Sequence, residues 1–220
     1  MITVEEARRY YQGADARQSR LCRPAHDFEH VLRVLKLVER IGAAEGADLA
    51  VLRTAALLHD IQRAAELAGG PCHAQAGAVR AREILQGQDP AFVEAVAEAI
   101  ASHRFRGGEP PRTLEARVLF DADKLDAMGA IGIARAYAVA GALGQRIWAE
   151  VPAGYAERDL REAQADIVTD EHTPVHEYIF KLARLRDALF TSTARRIAEG
   201  RHAYMQAFFA RLQREVSGEM

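Results

Sequence analysis

Cysteine is scarce in this chain, whose 220 residues contain only Cys22 and Cys72, and these two form no CxxC pair. This argues against a disulfide framework and against a cysteine zinc site. No charge of one sign dominates, because the formal net charge is −2 and acidic residues are mixed among the arginines. The chain therefore lacks the basic face of a protein that binds a nucleic-acid polymer.

Long apolar runs are also missing, and none reaches the length needed to span a membrane. The first residues do not show a basic segment followed by an apolar one, so we expect no signal peptide. These absences predict a cytoplasmic protein without a membrane partner.

Alternating β-type patterns are absent, whereas helical spacing runs through almost the whole chain. Thr3 and Glu6 form a capping box, and Asp48 and Asp89-Pro90 are typical of helix starts. The helical spacing predicts an all-α protein with seven to nine helices. A hydrophobic fraction of 49% in 220 residues is enough for one core, so we expect one domain over residues 1–220. The apolar stripe of the second helix shows the i, i+3, i+4 spacing: Val31, Val34, Leu35, Val38 and Ile41.

The stretch from Gln145 to Thr173 is the least regular, since it contains Pro152, Gly154 and many charges. Pro174 then marks the start of a further helix. Its apolar positions predict one long helix that carries Ile179, Leu182, Leu185 and Leu189.

His59 and Asp60 stand side by side at the end of an apolar helix. Burying two such polar side chains is costly unless a partner satisfies both. A histidine at a helix C-terminus interacts well with the helix dipole, but an aspartate there opposes it. A divalent cation would reverse that repulsion, so the pair indicates a metal site.

Two other segments offer ligands of the same kind. His26 and His30 lie four positions apart and share one helix face, and His30 adjoins the apolar stripe. Asp121 and Asp123 follow the apolar residues 118–120. Because the two aspartates are two positions apart on a helix, only one is expected to reach a common cation, and the spacing does not say which.

One histidine, then a His-Asp pair, then one aspartate follow one another along the chain. This order resembles the signature of the HD-domain metal-dependent phosphohydrolases. The matching residues are His30, the pair His59-Asp60, and Asp123 in the phrase Ala122-Asp123-Lys124-Leu125-Asp126-Ala127. Longer phrases resemble the small stand-alone bacterial branch of that superfamily: residues 26–34, residues 121–132, and the stretches around Lys181 and Arg201-His202. The resemblance covers most of the chain.

The resemblance implies an all-helical fold with a metal core at about residues 20–145, on which the helices at about 174–215 pack. It implies that one divalent cation is bound by four side chains: His30, His59, Asp60 and Asp123. Of these, His59, Asp60 and Asp123 are also expected to serve catalysis. Such a ligand set suits Mn²⁺, Fe²⁺, Ni²⁺, Co²⁺ or Zn²⁺, and Mg²⁺ less well.

Three nearby aspartates have supporting roles in this interpretation. Asp121 becomes a helix-capping or ligand-orienting group once Asp123 is the ligand. Asp126 and Asp27 are expected to orient ligands from behind, with helix capping the first role of Asp27.

Two more histidines, His73 and His103, fall where some members of the family supply further metal ligands or phosphate contacts. His73 and His103 both lie at helix ends, and a second metal fits if both point inward. Some nucleotide-cleaving relatives carry an acidic residue shortly after the HD pair, whereas here the first carboxylate is Glu66. Activation of water then falls more to the cation. The side chains expected to hold substrate are His103, His73, Arg63, Lys124 and Lys181.

The expected activity is hydrolysis of a phosphate ester or anhydride in a small substrate, by resemblance a nucleotide. The specific reaction that we expect is release of pyrophosphate from a nucleoside triphosphate. The protein is expected to be a monomer or a homodimer. Three alternatives stay open. These are a phosphodiesterase for a cyclic nucleotide or a hyperphosphorylated guanosine, iron-dependent oxygenase chemistry, and a non-catalytic metal- or ligand-binding sensor module.

Overall fold

The computed structural model describes residues 2–15, 27–105, 110–158 and 171–220. These residues contain helices and no strand, so the all-α prediction is confirmed. No helix in the described ranges combines the length and apolarity needed to cross a bilayer. The α-helices are α1 Val4–Asp15, α2 Phe28–Glu45, α3 Leu49–Leu58, α4 Arg63–Leu67, α5 His73–Ile84, α6 Pro90–Ala101, α7 Leu114–Asp126, α8 Gly129–Leu143, α9 Pro174–Phe180 and α10 Ser192–Val216. Two 3₁₀ helices cover Tyr155–Glu157 and Leu182–Ala188.

Helix starts follow the predicted caps. The Thr3 backbone N–H donates to Glu6 Oε2 at 2.8 Å, and the Glu6 N–H donates to Thr3 Oγ1 at 3.2 Å, which completes the capping box before α1. Asp48 accepts from the Ala50 N–H at 2.7 Å before α3, and Asp89 accepts from the Phe92 N–H at 2.9 Å before α6. Three helix starts are therefore encoded locally.

The chain divides into two compact units. The first comprises Met1–Asp123 with Phe190–Ala194, and the second comprises Lys124–Leu189 with Arg195–Met220. One domain over residues 1–220 stays a prediction.

The first unit is built around the close packing of α5 on α6 and of α2 on α3. Gly77 lets α5 approach closely, because a Cβ there would lie 3.3 Å from Ile100 Cγ2 and 3.4 Å from the His59 carbonyl oxygen. Completely buried side chains of this unit include Leu52 and Leu58 of α3, Leu85 just after α5, and Ile100 of α6. This packing brings the start of α5 next to the ends of α3 and α6.

In the second unit, Tyr155, Phe180 and Val151 form an apolar cluster. The long helix expected after Pro174 is divided here, because α9 ends at Phe180 and a 3₁₀ helix begins at Leu182. The sequence did not reveal the break, since a spacing of three residues places side chains on one face in both helix types. Leu182 and Leu185 are accordingly buried, as the stripe requires.

Asp121 has a structural role. Its side chain is completely buried in α7 and accepts from the Phe190 N–H at 2.9 Å, the Thr191 N–H at 2.7 Å and the Thr191 hydroxyl at 2.7 Å. The carboxylate thereby fixes the chain just before α10. Asp121 was expected to cap a helix or to orient a ligand. It accepts from backbone N–H groups of the segment before α10, not from those of its own helix α7.

We predict that Asp121→Ala lowers the free energy of unfolding by about 3 kcal/mol, because it leaves three donors without their charged acceptor. Urea denaturation followed by circular dichroism would measure this loss. Asp187→Ala is the matched control, since the Asp187 side chain is 70% exposed and its removal should change stability by no more than about 0.5 kcal/mol. Equal stability of the two variants would contradict the role given to Asp121.

Candidate metal centre

Four helix ends of the first unit bring four imidazoles and one carboxylate together. His30 lies in the first turn of α2, His59 and Asp60 follow α3, His73 begins α5, and His103 follows α6. All five are at least nine-tenths buried, and His30 and His59 are 0% exposed. Polar side chains this deep need partners, and here they are chiefly one another.

The first group consists of His30, His59 and Asp60. The Nε2 atoms of the two histidines are 3.3 Å apart. Asp60 Oδ2 lies 3.6 Å from His30 Nε2 and 3.7 Å from His59 Nε2. Asp123 reaches this group through His30, whose Nε2 is 3.3 Å from Asp123 Oδ1.

The second group consists of His73, His103 and the same Asp60. The Nε2 atoms of His73 and His103 are 3.1 Å apart. Asp60 Oδ1 lies 3.6 Å from His73 Nε2 and 3.8 Å from His103 Nε2. One carboxylate therefore presents one oxygen to each histidine pair.

Hydrogen bonds to the Nδ1 atoms define the ring protonation of three histidines. His59 Nδ1 is 2.8 Å from the Ala56 carbonyl oxygen, and His103 Nδ1 is 2.6 Å from that of Ile100. Because a carbonyl only accepts, Nδ1 carries the proton in both rings and Nε2 keeps its lone pair.

His73 is oriented by a side chain instead. Its Nδ1 is 2.6 Å from Glu66 Oε2 and 3.1 Å from Arg63 Nη1. Nδ1 would have to accept a hydrogen bond from Arg63 but donate one to Glu66. We assign the donor role from the shorter contact, because an ionised carboxylate only accepts and Nδ1 must donate to it. His73 Nε2 thus keeps its lone pair too.

A divalent cation fits this arrangement. In the described structure the lone pairs of His73 and His103 face each other at 3.1 Å, which is repulsive unless a positive charge lies between them. Metal–nitrogen bonds of about 2.0–2.1 Å place adjacent ligand atoms about 3.0–3.5 Å apart, close to the separations within both groups. Imidazole with carboxylate suits Mn, Fe, Co, Ni or Zn.

Burial disfavours protonated imidazoles at the centre. It lowers the pKa of His59 to about 4, although the Asp60 carboxylate acts in the opposite direction. Burial likewise lowers the pKa of His73 to about 4, again against the effect of Asp60. Both rings are therefore neutral at pH 7, the form in which imidazole binds metals.

A family model, the HD domain, matches residues 27–128, which contain all six side chains of the centre. The uncharacterized protein YpgQ of Bacillus subtilis is 32% identical over 197 residues, which are 88% of this chain and 85% of YpgQ. This chain belongs to the HD-domain phosphohydrolase superfamily. The resemblance found in the sequence is thereby confirmed.

Solved structures agree with this membership along almost the whole HD protein. A Lactobacillus plantarum protein has a TM-score of 0.71 at 27% identity and covers 99% of this chain and 100% of its own. YpgQ in complex with ADP has a TM-score of 0.67 at 27% identity, with coverages of 96% and 98%. A predicted HD-superfamily hydrolase from an uncultured Thermotogales bacterium has a TM-score of 0.61 at 30% identity, with coverages of 94% and 91%.

The other predicted site residues of the HD protein have different surroundings. Asp27 caps α2 by accepting from the His30 N–H at 2.9 Å, so it fixes the backbone of that histidine. Asp126 is buried in the second unit and pairs with Arg135 at 2.9 Å. Lys124 is buried beside Asp123 in α7, and Lys181 pairs with Glu177 at 2.8 Å. His26 and Cys22 lie outside the described residues.

Glu66, which contacts His73, and Arg104, which contacts Glu66, have roles that sequence reasoning missed. Glu66 contacts His73, and its other oxygen, Oε1, accepts from Arg104 Nη1 at 2.7 Å. Arg104 Nη1 also lies 3.0 Å from Cys72 Sγ. Glu66 is the first carboxylate after His59-Asp60 and precedes a tight Gly-Gly turn back to His73, which is the signal that could have indicated this contact.

We predict that the metal-free HD protein loses stability between pH 7.5 and pH 5.0. A folded-state pKa of about 4, below the ordinary 6.5, means that the unfolded chain binds more protons between these values. Stability is therefore complete above pH 6.5 and falls as the pH approaches 4. Each histidine contributes about 2 kcal/mol of this loss at pH 5.0.

Urea denaturation after removal of metal, at pH 7.5 and pH 5.0, measures this difference. His59→Gln removes one titrating group, so its loss should be smaller than that of the wild type by about 2 kcal/mol. A wild-type protein whose free energy of unfolding is the same at both pH values would contradict the prediction.

Proposed function

We propose that this HD protein hydrolyses a phosphoanhydride bond of a nucleotide, with release of pyrophosphate from a nucleoside triphosphate as the specific reaction. One observation carries the proposal: two histidine pairs face the two oxygens of the buried Asp60, at 3.6–3.8 Å. Cation-binding groups of this kind serve phosphoryl transfer, in which charge builds up on phosphate oxygens.

In this proposal His30, His59, Asp60 and Asp123 hold the first divalent cation. When bound, such a cation supplies Lewis-acid chemistry, which lowers the pKa of water towards ~7 and offsets phosphoryl charge. His59, Asp60 and Asp123 are the catalytic residues through this role. His73 and His103, with Asp60, offer a place for a second cation or for phosphate.

Arg63 is the basic side chain best supported as a phosphate contact. Its Nη1 donates to Glu66 at 2.5 Å, next to His73. Its Nε–H is buried and has no hydrogen-bond partner within the described structure. A buried donor without an acceptor is costly, and a phosphate oxygen would satisfy it. Lys124 and Lys181 stay predictions as substrate contacts.

Glu66 is poorly suited to act as the general base. Burial alone would raise its pKa, but His73, Arg63 and Arg104 together hold the pKa below its usual value. A carboxylate that is already bound to three donors is a weak proton acceptor. The nucleophile in this proposal is water, whose proton is released to solvent. Its oxygen attacks the α-phosphorus, and the bond from that phosphorus to the oxygen that bridges it to the β-phosphorus breaks. Pyrophosphate is the leaving group.

The nucleotide assignment draws support from a relative. YpgQ of Bacillus subtilis was crystallised in complex with ADP. By analogy, a nucleoside phosphate is the substrate class proposed for this chain. A monomer or homodimer in the cytoplasm is the proposed form of the enzyme.

We predict that protein stripped of metal and reloaded separately with Mn²⁺, Co²⁺, Ni²⁺, Fe²⁺, Zn²⁺ or Mg²⁺ converts nucleoside triphosphates to monophosphate and pyrophosphate. Anion-exchange chromatography would identify both products. The double variant His59→Ala, Asp60→Ala should lose at least about 100-fold in rate and most of its bound metal, since removal of ligands costs more than removal of their supporting partners.

The matched control is Arg80→Ala, Glu83→Ala, which removes an ion pair whose side chains are 45% and 57% exposed on α5. It should keep both metal and activity. Unchanged metal content in the His59, Asp60 variant would contradict the ligand assignment. Full metal content without turnover of any phosphate compound would favour the sensor module instead.

A phosphodiesterase is the second candidate, and the His73–His103 pair favours it. With Asp60, this pair would hold a second cation, which would supply further stabilisation of the charge that develops in a diester displacement. Cyclic nucleotides and hyperphosphorylated guanosine belong in the same screen. A monophosphate formed from the cyclic compound, with no pyrophosphate from triphosphates, would decide for the diesterase.

A further inference from the structure

The three histidines with defined Nδ1 partners are oriented in two different ways. His59 and His103 each follow a helix, and each bonds to the carbonyl oxygen three residues earlier, at Ala56 and Ile100. These carbonyls lie in the last turns of α3 and α6, and that of Ile100 also accepts from the His103 backbone N–H at 3.4 Å. The acceptor for both rings is thus supplied by the backbone.

His73 cannot use this arrangement, because it is the first residue of α5 and the preceding helix, α4, already ends at Leu67. Its N-cap, Cys72, makes no side-chain capping bond. The acceptor for its Nδ1–H is Glu66 Oε2 at 2.6 Å. Among these three rings, His73 alone depends on another side chain for its tautomer and direction.

Glu66 is itself held in place from two sides. Arg63 Nη1 donates to Oε2 at 2.5 Å, and Arg104 Nη1 donates to Oε1 at 2.7 Å. The turn after α4 returns the chain to this carboxylate: the Gly69 N–H donates to the Glu66 carbonyl at 2.9 Å, and Gly69 has φ +90. Gly70 passes so close to α4 that a Cβ would lie 2.7 Å from the Ala65 carbonyl oxygen. Both glycines are therefore required by the turn.

We propose that Glu66 is a positioning residue that selects the tautomer of His73 and directs its Nε2 at Asp60 and His103, so that Glu66 controls binding of a second divalent cation. This inference rests on the proposed first cation site at His30, His59, Asp60 and Asp123. A carboxylate behind an imidazole also makes its far nitrogen a better ligand. Glu66 has no direct contact with substrate in this role.

The test uses Mn²⁺ alone, bound to the full-length protein. Equilibrium dialysis with elemental analysis gives the number and affinity of bound ions, and electron paramagnetic resonance distinguishes a coupled Mn²⁺ pair from an isolated ion. We expect the wild type to bind two ions and show the coupled spectrum. Glu66→Gln should weaken the second ion about 10- to 100-fold and show an isolated ion at limiting Mn²⁺, while the first ion binds as before.

Glu66→Asp and Glu83→Gln complete the experiment. Glu66→Asp keeps the charge but shortens the reach to His73, so it should weaken binding of the second ion by an intermediate factor. If Glu66→Gln loses its helical circular dichroism, the Glu66→Asp variant provides the test. Glu83→Gln makes the same chemical change at an α5 residue that is 57% exposed and pairs with Arg80, and it should bind both ions as the wild type does.

Two results would overturn the inference: a wild type that binds a single Mn²⁺, or a folded Glu66 variant that binds two ions with wild-type affinity. Because the readout is bound metal, failure of the proposed hydrolysis would leave this inference intact. A protein that hydrolyses nucleotides with one ion would reject the inference and keep the proposed function.

Discussion

The buried carboxylate of Asp60 is the group on which the candidate metal centre depends. It is 5% exposed and lies within 3.8 Å of four imidazole nitrogens, three of which present lone pairs. A negative charge surrounded by lone pairs, with little water, is unfavourable by itself. Positive charge at the centre of the group removes both difficulties at once, so the ends of α2, α3, α5 and α6 can meet there without leaving polar atoms unsatisfied.

The surroundings add a charge pattern suited to phosphate. Arg63 and Arg104 both bind Glu66, so this neighbouring cluster carries one more positive than negative charge. Excess positive charge beside a metal centre attracts anionic substrates and helps to hold charge that develops on phosphate oxygens. The carboxylate of Glu66 would reduce the repulsion between these two guanidinium groups and a cation bound at His73, besides accepting from that ring.

Much of the helical fold could be predicted because its signals are local: the caps at Thr3, Asp48 and Asp89, and the apolar stripe of α2. The HD pair was recognisable because an aspartate after an apolar helix is an electrostatic misfit. The Glu66–His73 contact and the anchoring of residues 190–191 by Asp121 were not predictable in this way. Both depend on which helices pack together, and periodicity carries no information about long-range partners. The end of α9 before Leu182 was not predicted, because apolar residues three positions apart share one face in both an α-helix and a 3₁₀ helix.

Helix ends explain why the orientation of His73 depends on another side chain, whereas that of His59 and of His103 does not. A histidine just after a helix finds a carbonyl acceptor in the last turn, whatever the side chains there are. Substitution of Ala56 or Ile100 therefore leaves in place the carbonyl oxygens to which the rings of His59 and His103 donate. A histidine at a helix start meets N–H groups, which cannot accept from its ring. His73 therefore requires a carboxylate from elsewhere, and a single substitution can remove it. His73 is consequently the ring whose orientation a side-chain substitution can change, while His59 and His103 keep their backbone acceptors.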